Sequence, residues 1–380
     1  MIPAAFASRS PSPELRFLLA LVRAGLGRGP WPAAPARVDE AALLALVTRH
    51  RLAPLLHHRA ADIVRATCPP PLVAAIQAEA EQHLRRALAQ TAELFRLTAA
   101  LELAGITVLS VKGPALAQQL HRHLAARPAG DLDLVVAPVD VARADAILQH
   151  HGLRRSRPDF ALTPRQMRAY LALKPEFEYH RTATPALRVE LLWRLEGLEL
   201  PVGTTSVPLA GRAAPTLALA DHALYLFEHG ARHAWFRLFW LVDIAVLLER
   251  RDLDWAALLA RARTRGAERA VRQGTALAAD LLAAPVPRAL QTAPADPALV
   301  AEAQRQILRD PRPNESAFEW ARQLHYRTQL HPGAGGKWRT IAPHLLTPNN
   351  WPLWRLPDRW FWLYYPATPF LWLWRYLHRP

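Results

Sequence analysis

VLSVKGPALAQQLHRHLAARPAGDLDLVV, residues 108–136, joins a β-branched run to a helix through one glycine and then returns to a strand. Gly113 permits a tight turn in which backbone approaches a ligand closely. The helix predicted over 114–123 carries Pro114 in its first turn, where a missing N–H costs little. A helix start of this kind offers unpaired backbone N–H groups and the positive end of the dipole, which suit phosphate. Lys112 adds a full positive charge there. Eighteen residues after Gly113 comes Asp131-Leu132-Asp133. On a strand, residues two apart share a face, so both carboxylates project together while Leu132 faces the core. Two aligned carboxylates repel each other unless a cation lies between them. Hard oxygen ligands beside a phosphate-binding turn suit Mg²⁺.

Working outward, further strands are expected at 106–111, 177–180 (FEYH) and 187–193 (LRVELLW). Glu190 sits inside the last of these, an acid in an otherwise apolar run, and needs a partner. It is the best third carboxylate for a two-metal site, with Glu176 and Glu178 as lesser choices on the preceding strand. Helical spacing predicts 14–27, 39–50 with Asp39 as N-cap, and a long helix over 72–104 ending at Gly105. A helix over 138–150 lies between the strands. The helical pattern returns at 217–228, 234–249, 255–264, 267–282 and 296–308. The stretch 309–350 is richer in Pro, Gly and Asn and reads as loops with one short helix.

The expected fold class is α+β, a small mixed sheet flanked by N-terminal and C-terminal helical regions. The divisions are a helical region over 1–105, a mixed core over 106–212, a helical domain over 213–310 and a loop-rich aromatic tail over 311–380. A chain of 380 residues with 51% hydrophobic residues has ample material for such a core. The net charge is +15, yet only Lys112, Lys174 and Lys337 of the 47 basic residues are lysines. That bias reads as codon pressure from a GC-rich genome, so the positive charge says little about nucleic acid as a partner. A single cysteine, Cys68, excludes an internal disulfide and a thiolate-rich zinc site, and fits a reducing cytoplasm. No cationic segment precedes an apolar run at the start, so no signal peptide is expected. The aromatic run between Arg359 and Arg375 is too short to span a bilayer and holds Pro366 and Pro369.

Strand–Gly–helix, then Asp-x-Asp, then a third acid on a later strand resembles the polymerase-beta-like nucleotidyltransferase superfamily. Within it, Val111-Lys112-Gly113, Arg127-Pro128 and Gly130-Asp131-Leu132-Asp133-Leu134-Val135 look like the bacterial group of uncharacterised nucleotidyltransferases. So do Glu228-His229-Gly230, residues 240–245 (WLVDIA) and Asp254-Trp255. Two departures stand out. Pro114 follows the turn glycine where the superfamily has Ser or Gly and this group has Ala. Leu192 replaces the histidine of Glu-x-His-Trp.

The resemblance implies transfer of a nucleoside monophosphate from an NTP, ATP by default, to an unknown hydroxyl acceptor, with release of pyrophosphate. The acceptor classes are a small molecule, a sugar, a peptide or protein, or a tRNA end. It implies two Mg²⁺ ions held by Asp131, Asp133 and Glu190, with Glu190 also able to serve as base. Lys112, Gly113 and Arg127 would bind nucleotide, although Arg127 before Pro128 also suits a purely structural turn. Sequence-specific DNA binding is not expected. The modified turn and the tail keep open an inactive relative that binds nucleotide or acts as a scaffold near a membrane-associated biosynthetic complex. A toxin–antitoxin role is a third reading.

His229, His233 and Asp243 read as helix packing or an Asp–His hydrogen bond more readily than as a metal site. His121, His123 and His222 read as surface or packing residues. Residues 351–380 hold six Trp, three Tyr and two Phe. This tail has three readings. It folds back and buries its rings, it contacts a membrane interface or protein at the inner membrane face, or it stacks on single-stranded nucleic acid.

Overall fold

Residues 238–248 (LFWLVDIAVLL) are apolar on every side apart from Asp243, and such a helix has only the interior to occupy. In the computed structural model all eleven are buried. The structure describes residues 11–33, 38–128, 130–182, 186–195, 202–309, 317–345 and 347–377. Residues 1–10 of the start and 310–316 of the expected loop stretch lie outside these, as does the ring of Trp372.

Against the buried helix pack Leu219–Arg232 and Glu268–Leu282. Their meeting point is Trp235, fully buried, whose indole donates to Gln273 Oε1 at 3.1 Å. A Cβ on Gly230 would lie 2.2 Å from that ring, and one on Gly274 would lie 2.7 Å from it, so both helices need glycine there. Ala234 and Trp235 take left-handed φ values of 48° and 53°. This breaks the helix predicted over 234–249, which begins instead at Leu238.

The N-terminal helices follow their caps. Ser12 accepts from Leu15 N at 3.2 Å, and Asp39 accepts from Ala42 N at 3.0 Å, as predicted. Short helices Ala53–Arg59 and Ala61–Thr67 were not expected from the spacing. Pro70–Leu103 is a single helix of 34 residues, stopped at Gly105 with φ +72°.

The sheet contains β1 (Val108–Ser110), β2 (Leu132–Val136), β3 (Arg154–Arg157), β4 (Glu176–Arg181) and β5 (Leu187–Leu192), in the order β1-β2-β5-β4-β3. Only β2 and β5 run parallel. One face, carrying Leu132, Leu134, Val189, Leu191, Phe177 and Tyr179, packs on Leu94, Leu97 and Leu101 of the long helix and on Val141 and Leu148 of Val141–His150. The opposite face carries Asp133, Val135, Glu190 and Leu192 and turns toward the C-terminal helices. A hairpin of β6 (Thr204–Leu209) and β7 (Arg212–Leu217) turns through Ala210 and Gly211, both at positive φ. It leans on β1 through Thr216, whose hydroxyl donates to the Ser110 carbonyl at 2.6 Å.

The architecture is therefore α+β, with a small mixed sheet between helical regions. β3, β6, β7 and the helix Pro164–Leu173 add to the expected elements. The stretch expected to be loops holds two helices, Ala317–Leu330 and Ala334–Leu345. Trp351, Phe361 and Tyr364 of the tail fold onto the sheet-side core, as the first of its three readings has it, whereas Trp354, Trp360, Trp362, Tyr365 and Phe370 are exposed. No helix among the described residues is long and apolar enough to cross a membrane.

Candidate active site

The parallel register sets Asp133 of β2 directly beside Glu190 of β5, and Glu178 of β4 beside Glu190 on its other side. Paired residues in a sheet share a face, so the alternation that buries Leu132 and Leu134 also gathers these acids. Asp131, two residues before Asp133, opens into the same cleft. The cleft has a volume of about 450 Å³. It lies between the sheet and the helices Leu219–Arg232 and Leu238–Leu248, and Lys112 and Gly113 are in its wall.

Lys112 ends the β1 side of the turn, and its ammonium enters the acidic group. Nζ is 2.6 Å from Asp133 Oδ1, 3.9 Å from Glu190 Oε2 and 5.7 Å from the centre of the Tyr225 ring. Gly113 adopts φ +57°, and a Cβ there would sit 3.4 Å from the Asp131 carbonyl. The turn thus presses on the loop that carries the first carboxylate. That loop is fixed from behind by Gln90 of the long helix, whose amide donates to the Gly130 carbonyl at 3.0 Å.

Burial and like charge split the carboxylates. Burial, then the charge of Asp133, pushes Glu190 up to about 10, so at neutral pH it carries a proton. Burial also raises Asp133, against the pull of Lys112. Burial would raise Asp131 too, but Lys112, a hydrogen bond from Glu190 and the charges of Arg188 and Arg51 hold it below the ordinary range. Lys112 is desolvated, yet Asp133, Tyr225 and Glu190 keep it firmly charged.

Among the described residues, no three His, Cys, Asp or Glu side chains stand arranged to hold a metal ion as they are. The Lys112 ammonium is within 4 Å of two of the three acids. The donor set nevertheless fits a hard cation. Both Asp133 oxygens are buried without a well-formed hydrogen bond, Lys112 being an ion-pair partner only. Glu190 has to take up a proton to stand beside Asp133, and a hard cation would remove that need.

Arg127 has its Nε committed to Asp243 Oδ2 at 2.9 Å, while its side chain also borders the cleft. His121 meets the other oxygen of Asp243 at 3.0 Å. The single charge of the buried helix is thereby neutralised, and the Arg127-Pro128 turn is tied to that helix. His121 and His222 are buried rather than superficial, and His222 Nδ1 pairs with Gln119 Oε1 at 2.7 Å. His123 is exposed and stacks on His58. His229 and His233 line the cleft and pack against Trp240. Burial, then the charge of Lys112, holds His229 well below the usual histidine value, and burial with Arg232 does the same to His233, so both are neutral.

Arg188 and Arg194, which the sequence offers as ion-pair partners for Glu190, and Trp240 of the 240–245 motif are in the wall; Arg51, Arg237, Tyr225, Phe236 and Phe239 complete it and were not singled out by sequence reasoning.

A family model described as an uncharacterised nucleotidyltransferase matches residues 36–283, well over half of the chain. The chain belongs to that family. No curated protein and no solved structure matches it. The matched span contains every residue that lines the carboxylate cleft and leaves out the aromatic tail.

Proposed function

We propose that the protein transfers a nucleoside monophosphate from an NTP, ATP by default, to a hydroxyl acceptor, with Asp131, Asp133 and Glu190 holding Mg²⁺. The observation that carries this reading is the convergence of Asp131, Asp133 and Glu190 beside a Lys-Gly turn, Asp133 paired with Glu190 in the sheet and buried against Lys112, Asp131 and Glu190 opening into a cleft rimmed by arginines. Bound Mg²⁺ supplies charge neutralisation at the α-phosphate and lowers the pKa of the attacking hydroxyl. With a cation bound, Asp133 would serve as its ligand and Lys112 would be left to meet the triphosphate, whose far end the Gly113 backbone could approach closely. Glu190, deprotonated once the site gains positive charge, can accept the acceptor's proton. The Arg127–Asp243–His121 cluster keeps the loop before Asp131 in place. Tyr225 and Trp240 offer ring surface to a base.

Incubation with α-labelled NTPs, Mg²⁺ and cell extract tests the reading. The wild type should label an acceptor, and Asp131→Asn/Asp133→Asn should lose about 10²–10³-fold or more in rate while folding normally. Equal labelling by both would refute it.

One observation favours a second reading. Lys112 on Asp133 neutralises the acids without metal, as an inactive, scaffold-type relative would. In that case ATP with Mg²⁺ would leave thermal stability unchanged, whereas ligand at 100 times its Kd should add about 2.7 kcal/mol.

We propose further that the tail rests on an anionic bilayer at the inner membrane face. Trp360, Trp362, Tyr365 and Phe370 are 44–75% exposed, and Arg355 and Arg359 lie among them. The nearby acid, Asp358, is occupied by the backbone N–H of Arg165 at 3.0 Å and by the Thr163 hydroxyl. Aromatic rings beside arginine suit the headgroup region. Co-sedimentation with vesicles containing phosphatidylglycerol should exceed that with phosphatidylcholine alone, and Trp362→Ser/Phe370→Ser should reduce it. Equal, weak sedimentation with both vesicles would remove the proposal.

A further inference from the structure

A second chamber of about 610 Å³ adjoins the carboxylate cleft, and the two share Arg51, Arg237, His233 and Phe236 in their walls. Neither the acids nor the Lys112-Gly113 turn lines it. Six arginines do, with no Asp or Glu among the lining residues. Some of these arginines are committed elsewhere. Arg309 pairs with Glu319 at 2.9 Å, and Arg49 donates to the Gln306 carbonyl at 2.7 Å.

Arg51 and Arg237 are placed differently. Each guanidinium carbon lies over aromatic surface, that of Arg51 5.9 Å from the centre of the Phe239 ring and that of Arg237 4.9 Å from Phe236 and 5.9 Å from Trp240. An arginine held over a ring can still offer its N–H fork to an oxyanion. Among the described residues neither side chain has a salt bridge to an acid, and the charge of Arg51 weakens Arg237. Burial, then Arg51, lowers Arg237 to about 10. Burial with the crowding of Arg127, Arg188 and Arg86 lowers Arg51, against some support from Asp131. Several arginines held together with only Asp131 as a nearby counter-charge are an arrangement that an incoming anion relieves.

We infer that the acceptor is itself an anion, carrying phosphate or an equivalent oxyanion, and that Arg51 and Arg237 hold that group in the second chamber while its hydroxyl faces the carboxylates. This inference rests on the nucleotidyl-transfer reading and narrows its acceptor to a phosphorylated or similarly anionic class. The chamber's size is that of ordinary small-ligand sites, so it has room for more than the anion alone.

The test saturates the protein with a non-hydrolysable ATP analogue and Mg²⁺, then titrates inorganic phosphate against chloride at matched ionic strength, following melting temperature. The wild type should show a saturable rise with phosphate beyond that with chloride. Arg51→Gln and Arg237→Gln should each weaken the phosphate response by about tenfold or more, the loss expected when one charge-assisted hydrogen-bonding group goes. Arg51→Lys and Arg237→Lys, which keep the charge but lose the fork, should fall between. Affinity for the ATP analogue, followed in the same four variants, should fall by less than the phosphate response, because both arginines border the cleft as well as the chamber. Absence of a phosphate-specific rise in the wild type, or an unchanged rise in both Gln variants, overturns the inference. So does a tenfold loss of analogue affinity in those variants, which would make these arginines triphosphate ligands. If the wild type binds no analogue, the nucleotidyl-transfer reading fails by itself, and the same titration on the free protein still reads the chamber.

Discussion

Glu190→Gln should make the metal-free protein more stable and strip it of activity. The structure gives the size of the effect. Glu190 has an ordinary value of 4.5 and is raised to about 10 in the fold, chiefly by burial and by Asp133. At neutral pH the unfolded chain leaves this carboxyl ionised, whereas the fold must protonate it. Each pH unit above 4.5 then costs about 1.4 kcal/mol, so the burden reaches about 3 kcal/mol at pH 7. The sign follows from the raised folded value: wild-type stability from this group is highest below 4.5 and declines as pH rises toward 10. Glutamine has no such dependence, and its amide can still donate to Asp131.

Urea unfolding in EDTA at about pH 5 and about pH 8 measures this. The variant's advantage should be under about 1 kcal/mol at the lower pH and approach about 5 kcal/mol at the higher, an upper figure for a group with some access to water. Saturating Mg²⁺ should stabilise the wild type and leave the variant nearly unchanged. An advantage that does not grow with pH, or a variant less stable than wild type at about pH 8, would refute the reasoning that these acids crowd one another for the sake of a cation.

Two further outcomes concern the scaffold around the site. Asp243→Asn leaves the buried Arg127 guanidinium without its counter-charge and should cost about 3–5 kcal/mol in urea unfolding at neutral pH. Burial would raise the Asp243 carboxyl, but Arg127 and His121 hold it below the ordinary range. Wild-type stability from this group is therefore present above its unfolded value near 4 and is lost as pH falls through the folded one. Acid unfolding midpoints that match between wild type and variant would contradict this. Gly230→Ala drives a methyl into the Trp235 ring and should cost about 1–3 kcal/mol, with altered tryptophan fluorescence. An unchanged melting temperature would show that the ring moves aside freely.

The acidic half of the site is legible in the sequence because its logic is local. Two residues apart on one strand share a face, and an acid inside an apolar strand advertises a partner. β2 and β5 could be found for the same reason, through their alternating or continuous apolar character. β3 reads Arg-Arg-Ser-Arg, an edge strand with no apolar face to betray it. β6 and β7 each contain a proline, Pro208 and Pro215, which argues against a strand unless the pair forms an exposed hairpin, as this one does. The basic half of the site was not legible. Arg51 and Arg237 come from turns 186 residues apart, and nothing in a chain so rich in arginine marks these two. The Asp243–His121 contact crosses 122 residues and was hidden likewise, although a lone acid in an apolar helix signalled that some partner had to exist.

The bond from Gln90 to the Gly130 carbonyl, together with the reach of Arg51 over that glycine, has a practical consequence. The helices that precede the sheet are not an appendage to be trimmed. A fragment beginning at residue 106 would keep the three acids but lose the strut behind the loop that carries Asp131 and one side of the basic chamber. Variation among relatives in that leading helical segment should therefore register as altered substrate choice, with the sheet itself unchanged.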